Sequence, residues 1–131
     1  MTSSPKTFDK KEKLVSKKTI DALFSGGNSR SMSAYPLRVV FMRKERSETE
    51  EPAQVMVSVS KRHFKRAVKR NRVKRQIREA YRKHKHTLVQ LMETREQGLL
   101  LAVVYVSDKI EDTAYVEKRM VKLLEKVVAL L

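Results

Sequence analysis

Arg70, Asn71, Arg72, Lys74, Arg75 and Arg78 form the densest chemistry in this sequence. They lie inside a run from Lys61 to Lys85 that holds thirteen Lys or Arg residues against one acid, Glu79. That is an excess of +12 in a chain whose formal charge is +15. Arginine presents a planar fork that meets phosphate through two hydrogen bonds and stacks on bases, which a lysine ammonium does not. With a pI of about 10.3, the chain calls for a polyanionic partner: nucleic acid first, an anionic membrane surface second.

Residues that would carry protein-borne catalysis are few. There is no cysteine, so disulfides and thiolate metal sites are excluded. The candidates are His63, His84 and His86, with Asp108, Glu111 and Asp112 as acids. His63 and His86 stand among like charges that lower proton affinity, and neither has a carboxylate at useful spacing. His84 falls on the core-facing stripe of a helix. Asp108 and Asp112 flank the start of the last helix, where capping is their ordinary role. The expectation is a chain with no catalytic residues and no metal site of its own.

The elements that must position the basic run follow from periodicity. At 100° per residue across 69–91, Val73, Ile77, Ala80, His84, Leu88 and Leu91 form one stripe. Arg70, Asn71, Lys74, Arg75, Arg78, Arg82 and Lys85 form an arc of roughly 140° elsewhere on the helix. One helix can therefore hold on to a core and present a cationic ridge. Like charges at i,i+4 cost about 0.2–0.5 kcal/mol per pair in an isolated helix. Cations at a helix N-terminus are also unfavourable, and a bound phosphate backbone removes both penalties.

Around that helix the spacing predicts a short helix over 16–24, N-capped by Ser16 and stopped at Gly26-Gly27. Strands follow at 35–43 and 54–60, separated by the charged loop 44–53 and read as an adjacent antiparallel pair. A strand at 99–106, apolar on both faces, must be covered on both sides. A helix from 113 to 131 carries the stripe Val116, Met120, Leu123, Leu124, Val127 and Leu131. The result is an α+β sandwich of helices on one small sheet: a flexible tail over 1–13, then one domain over 14–131. No window reaches 18 uncharged apolar residues and the start lacks a signal-like apolar core, so the expected location is the cytoplasm, off the membrane.

No heptad zipper, helix-turn-helix spacing or zinc-ligand pattern points to DNA. The outward strand residues Arg38, Met56 and Ser58, beside Phe24 of the first helix, suggest a shallow groove able to stack and track a single strand of RNA. A structural RNA-binding protein, such as a ribosomal component, is the alternative; a basic ridge over a closed surface would favour it. Membrane binding would need exposed apolar residues opposite the charges, where this helix needs them for its core.

The stretch "SVSKRHFKRAVKRNRVKRQIREAYR" (58–82) closely resembles the protein subunit of bacterial ribonuclease P. The pattern R-N-R-x-K-R-x-x-R-E from Arg70 through Glu79 carries the resemblance, with "FDKKEKL" (8–14) and "IDALFSGGNS" (20–29) supporting it. It covers roughly residues 8–128. The resemblance implies an α-β-β-β-α-β-α fold with a left-handed βαβ crossover. A third early strand would come either from splitting the segment after Val55 or from a loop. It also implies that an RNA subunit, holding Mg²⁺, cleaves precursor tRNA to leave the mature 5′ end. Arg70, Asn71, Arg72, Lys74, Arg75 and Arg78 would face that RNA. Ile20, Phe24, Tyr35, Arg38, Met56, Ser58 and Lys61 would line a cleft for the single-stranded 5′ leader. Ile20 and Arg38 stand where some relatives have aromatics, which implies less stacking and more phosphate contact.

Overall fold

The computed structural model describes residues 17–25, 27–45 and 51–131. The tail 1–13 and the cap at Ser16 lie outside them, as does the middle of the charged loop. In chain order the elements are α1 (Lys17–Phe24), β1 (Arg30–Ala34), β2 (Leu37–Glu45), β3 (Ala53–Val59), α2 (Ala67–His84), α3 (His86–Glu93), β4 (Gln97–Tyr105) and α4 (Thr113–Ala129). Four strands make one sheet in the order β1-β2-β4-β3. β2 runs antiparallel to both β1 and β4, and β3 runs parallel to β4.

The sheet carries a core on each face, a large one and a small one that α1 covers only in part. Leu37, Val39 and Phe41 of β2 and Val55 and Val59 of β3 join Val73, Ile77 and Tyr81 of α2 in the main core. Val116, Met120, Leu123, Leu124 and Val127 of α4 complete it, as the helical spacing predicts. On the other face Leu23 of α1 packs with Val40, Leu100 and Ala102, and Ile20, Met42 and Met56 lie against them. β4 therefore feeds both cores, with Leu99, Leu101 and Val103 on one side and Leu100 and Ala102 on the other.

Three expectations are corrected. β2 and β3 are not neighbours, because β4 enters between them. A strand apolar on both faces loses most by standing at an edge, whereas the alternating β2 and β3 can each flank it. The segment around Pro36 is a hairpin rather than one strand: β1 turns at Tyr35-Pro36, joined by a cis peptide bond, into β2. The additional strand thus arises from a loop, one of the two routes the resemblance left open. Finally, the basic helix is not continuous to residue 91. It stops at His84, and α3 begins at His86 after the buried Lys85. No proline or glycine marks that break. Tyr81, Leu88 and Met92 are buried, while His84 and Leu91 are only half-buried.

Candidate nucleic-acid interface

The segment leading into α2 is anchored on several sides. Phe64 is buried, its ring 6.0 Å from that of Tyr105 and tilted by 43°. The Arg62 backbone N–H donates to Ser60 Oγ at 3.0 Å. His63 Nδ1 meets Asp108 Oδ1 at 2.5 Å, so His63 does have a carboxylate partner, supplied from 45 residues away in sequence. The Tyr105 hydroxyl sets that partner's loop: it donates to the Lys109 carbonyl at 2.6 Å and accepts from the Glu111 N–H at 2.9 Å. Burial pushes the Tyr105 hydroxyl above its ordinary pKa, so it stays a donor. Ser107, also buried, donates to Glu111 Oε2 at 3.0 Å and accepts from the Lys109 N–H at 3.1 Å. Asp112 stands at the N-cap of α4, but its side chain makes no capping hydrogen bond.

α2 opens without a side-chain cap and without an acid in its first turn. Its N-terminal N–H groups are therefore left for an external anion. Lys65, Arg66, Lys69 and Lys109 line an open recess there, with His63, Phe64 and Asp108. Arg70 differs from the rest of the predicted set. It is half-buried, and its Nη1 donates to the carbonyls of Phe64 at 2.9 Å and Lys65 at 2.8 Å. Part of its guanidinium thus staples the entry segment to the helix. Asn71, Arg72, Arg75 and Arg78 are exposed, and Lys74 is half-buried.

The ridge remains unneutralised. Among the described residues Arg72, Lys74, Arg75 and Arg78 have no carboxylate partner. The acids at hand are engaged elsewhere. Glu79 pairs with Arg82, which holds its carboxyl below the ordinary range. Glu117 of α4 takes His84 Nε2 at 2.7 Å and Lys83 Nζ at 3.8 Å. His84 is thus the half-buried, satisfied histidine that its position on the stripe predicts.

The second surface lies on the α1 face of the sheet. Register places Ser33, Arg38, Val104 and Ser58 in one row across all four strands. Arg38 is exposed and its Nε donates to Ser31 Oγ at 2.8 Å, which lays the guanidinium along the sheet. Met56 and Ile20 lean on the small core beneath α1. Phe24 and Tyr35 are 47% and 52% exposed, so neither is a core residue. Tyr35 sits in the β1–β2 turn and Lys61 follows the end of β3, at the same end of the sheet. Of the seven residues predicted to line a cleft, Arg38, Met56 and Ser58 share this face by register, Ile20 packs on its small core, and Phe24, Tyr35 and Lys61 are exposed on α1 and at one end of the sheet. Two supporting residues escape the sequence reading. Ser31 orients Arg38, and Arg119 donates from Nε to the Tyr35 carbonyl at 2.9 Å. Only the alternating "RSMSA" at 30–34 hints at the first.

Among the described residues no three His, Asp or Glu side chains converge as a metal-ligand set. No helix among them is long and apolar enough to cross a membrane.

The family model described as Ribonuclease P matches residues 8–128. Proteins of two Porphyromonas gingivalis strains, each described as "Ribonuclease P protein component", are 40% identical to it over 127 residues, covering 95% of this chain and 90% of the relative. The solved ribonuclease P protein from Thermotoga maritima superposes with a TM-score of 0.63 at 19% identity, over 88% of this chain and 96% of that one. The Staphylococcus aureus ribonuclease P protein gives 0.61 at 15% identity, over 89% and 94%. These two carry the fold, and the family match carries the assignment. The chain belongs to the ribonuclease P protein family, RNA-binding subunits that serve a tRNA-processing endoribonuclease.

Proposed function

We propose that this chain docks on ribonuclease P RNA through the exposed part of the α2 ridge and holds the 5′ leader of precursor tRNA on the α1 face of the sheet. The observation that carries this is a pairing of two features. An unneutralised arginine ridge rises from one sheet face, and two aromatic side chains stand exposed at the rim of the other. Leader bases would stack on Phe24 and Tyr35, while Arg38 and Lys61 meet leader phosphates. The chain's own residues bind and orient. The RNA subunit, with its Mg²⁺, performs the hydrolysis that leaves the mature 5′ end. A ribosomal role is set aside by the family match, and the open aromatic face favours leader binding over a purely structural contact.

The test is multiple-turnover cleavage of a precursor tRNA by a bacterial ribonuclease P RNA transcript at low Mg²⁺, with and without this protein. Strong stimulation that disappears when the leader is trimmed to a single nucleotide supports both surfaces. Stimulation indifferent to leader length removes the cleft and keeps the ridge. Absence of stimulation despite tight RNA binding would return the chain to a structural role.

A further inference from the structure

A second aromatic and cationic surface lies on α4, away from the family motif. Tyr115, Arg119, Lys122 and Lys126 are spaced 4, 3 and 4 residues apart. At 100° per residue they fall within about 60° of one another, a stripe about 16 Å long. The acids of α4, Glu117 and Glu125, stand outside that arc, and Asp112 bounds it one turn before Tyr115. Tyr115 is 39% exposed, Lys122 is exposed, and Arg119 and Lys126 are half-buried.

Two of the cations fix where the stripe lies. Arg119 Nε donates to the Tyr35 carbonyl at 2.9 Å, and Lys126 Nζ donates to the Ser33 carbonyl at 3.0 Å. Both acceptors are neutral backbone groups on or next to β1, the edge strand, so neither charge is cancelled. Among the described residues none of the three cations has a carboxylate partner. Lys118, Lys122 and Lys126 also follow one another at i,i+4, an unfavourable spacing for a helix face whose only partner is water. The stripe therefore runs along the outside of β1 and begins beside the exposed Tyr35, where the groove on the opposite face ends.

We propose that the α4 stripe is a second single-stranded RNA track, which takes nucleotides of the leader upstream of those held in the groove after the strand passes over the Tyr35–Pro36 turn. Tyr115 stacks a base, and Lys122, with the flanks of Arg119 and Lys126, meets phosphates. This rests on the groove being the leader site. A peptide partner fits less well, because a face of three cations around one ring recognises a polyanion with π-faces rather than an apolar groove binder.

The experiment uses the full chain assembled with ribonuclease P RNA, and precursor tRNAs with no leader, about four and about twelve leader nucleotides, within the span known for single-strand sites. The variant combines Tyr115→Ala with Lys122→Glu, which leaves the two backbone anchors in place. The intact protein should gain affinity at both extensions. The variant should keep the first gain and lose the second, by about fivefold or more, as expected for one lost base stack. A variant that keeps the full second gain overturns the proposal. So does equal loss across all leaders together with weaker binding to the RNA subunit alone, which would turn the stripe toward that RNA. If the intact protein ignores nucleotides beyond the first four, the α4 track fails and the groove stands. If it ignores the first four as well, the groove reading falls with it.

Discussion

Leu23 and Phe24 are adjacent on α1, yet one is fully buried and the other is 47% exposed. Leu23 holds the helix to the sheet; Phe24 adds nothing to that core. Leu23→Ala should cost about 2–5 kcal/mol of stability, as truncation of a buried aliphatic side chain does. Phe24→Ala should change stability by about 0.5 kcal/mol or less, the range of surface substitutions. It should nevertheless weaken leader binding by about 1–3 kcal/mol, the worth of one base stack. Urea unfolding beside a leader-binding titration separates the two, and a folded Phe24→Ala protein with full leader affinity would remove Phe24 from the site. Arg70 and Arg72 divide in a similar way. Arg72→Ala should leave stability alone and reduce the log–log salt slope of RNA binding by about 0.7–0.9, one phosphate contact. Arg70→Ala should also destabilise, by about 1.5–3 kcal/mol, because its charge-assisted bonds to the Phe64 and Lys65 carbonyls are lost. The motif spelling made both look alike; only the fold shows that one of them is half-buried.

The packing of α2 on α4 brings Lys83, His84 and Glu117 together. The hydrogen bond from His84, with the nearby Lys83 charge, holds the Glu117 carboxyl below its ordinary value of 4.5. A carboxylate whose pKa is lowered by folding stabilises the fold above its unfolded value, and that contribution disappears as pH falls through the folded one. Glu117→Gln should therefore unfold more readily than the parent near neutrality, and the difference should shrink steadily as pH drops below about 4.5. A constant gap across that window, measured by thermal unfolding, would mean the carboxylate charge is not what joins the helices. At this scale the sequence was legible by face and not by neighbour. The alternation of Val55, Val57 and Val59 and the spacing of Val116 through Val127 told which side of each element turns inward. Alternation carries no label for the strand next door, so the place of β4 between β2 and β3 had to come from the structure. The break at Lys85 had no proline or glycine to announce it, and pairings such as His63 with Asp108 depend on loops that bring distant residues together.

Over the whole molecule, +15 on 131 residues makes an attractive field that acts before any contact forms. Association with RNA should be fast at low salt and slow steeply as ionic strength rises, because the Debye length shortens from about 30 Å at 0.01 M to about 8 Å at 0.15 M. Stopped-flow binding at several salt concentrations tests this, and an on-rate indifferent to salt would limit the ridge to close-range contact. The placement of β4 has its own bearing on how such a charged chain is made. β2 and β3 are joined only through β4, and β4 leaves the ribosome after the entire basic helix. For that interval a nascent polycation trails from a machine built largely of RNA, with half its sheet unzipped and no finished surface to direct its charge. The last strand is thus the clasp of the fold: the sheet that carries both RNA-facing elements is complete only once the whole basic helix has already been made.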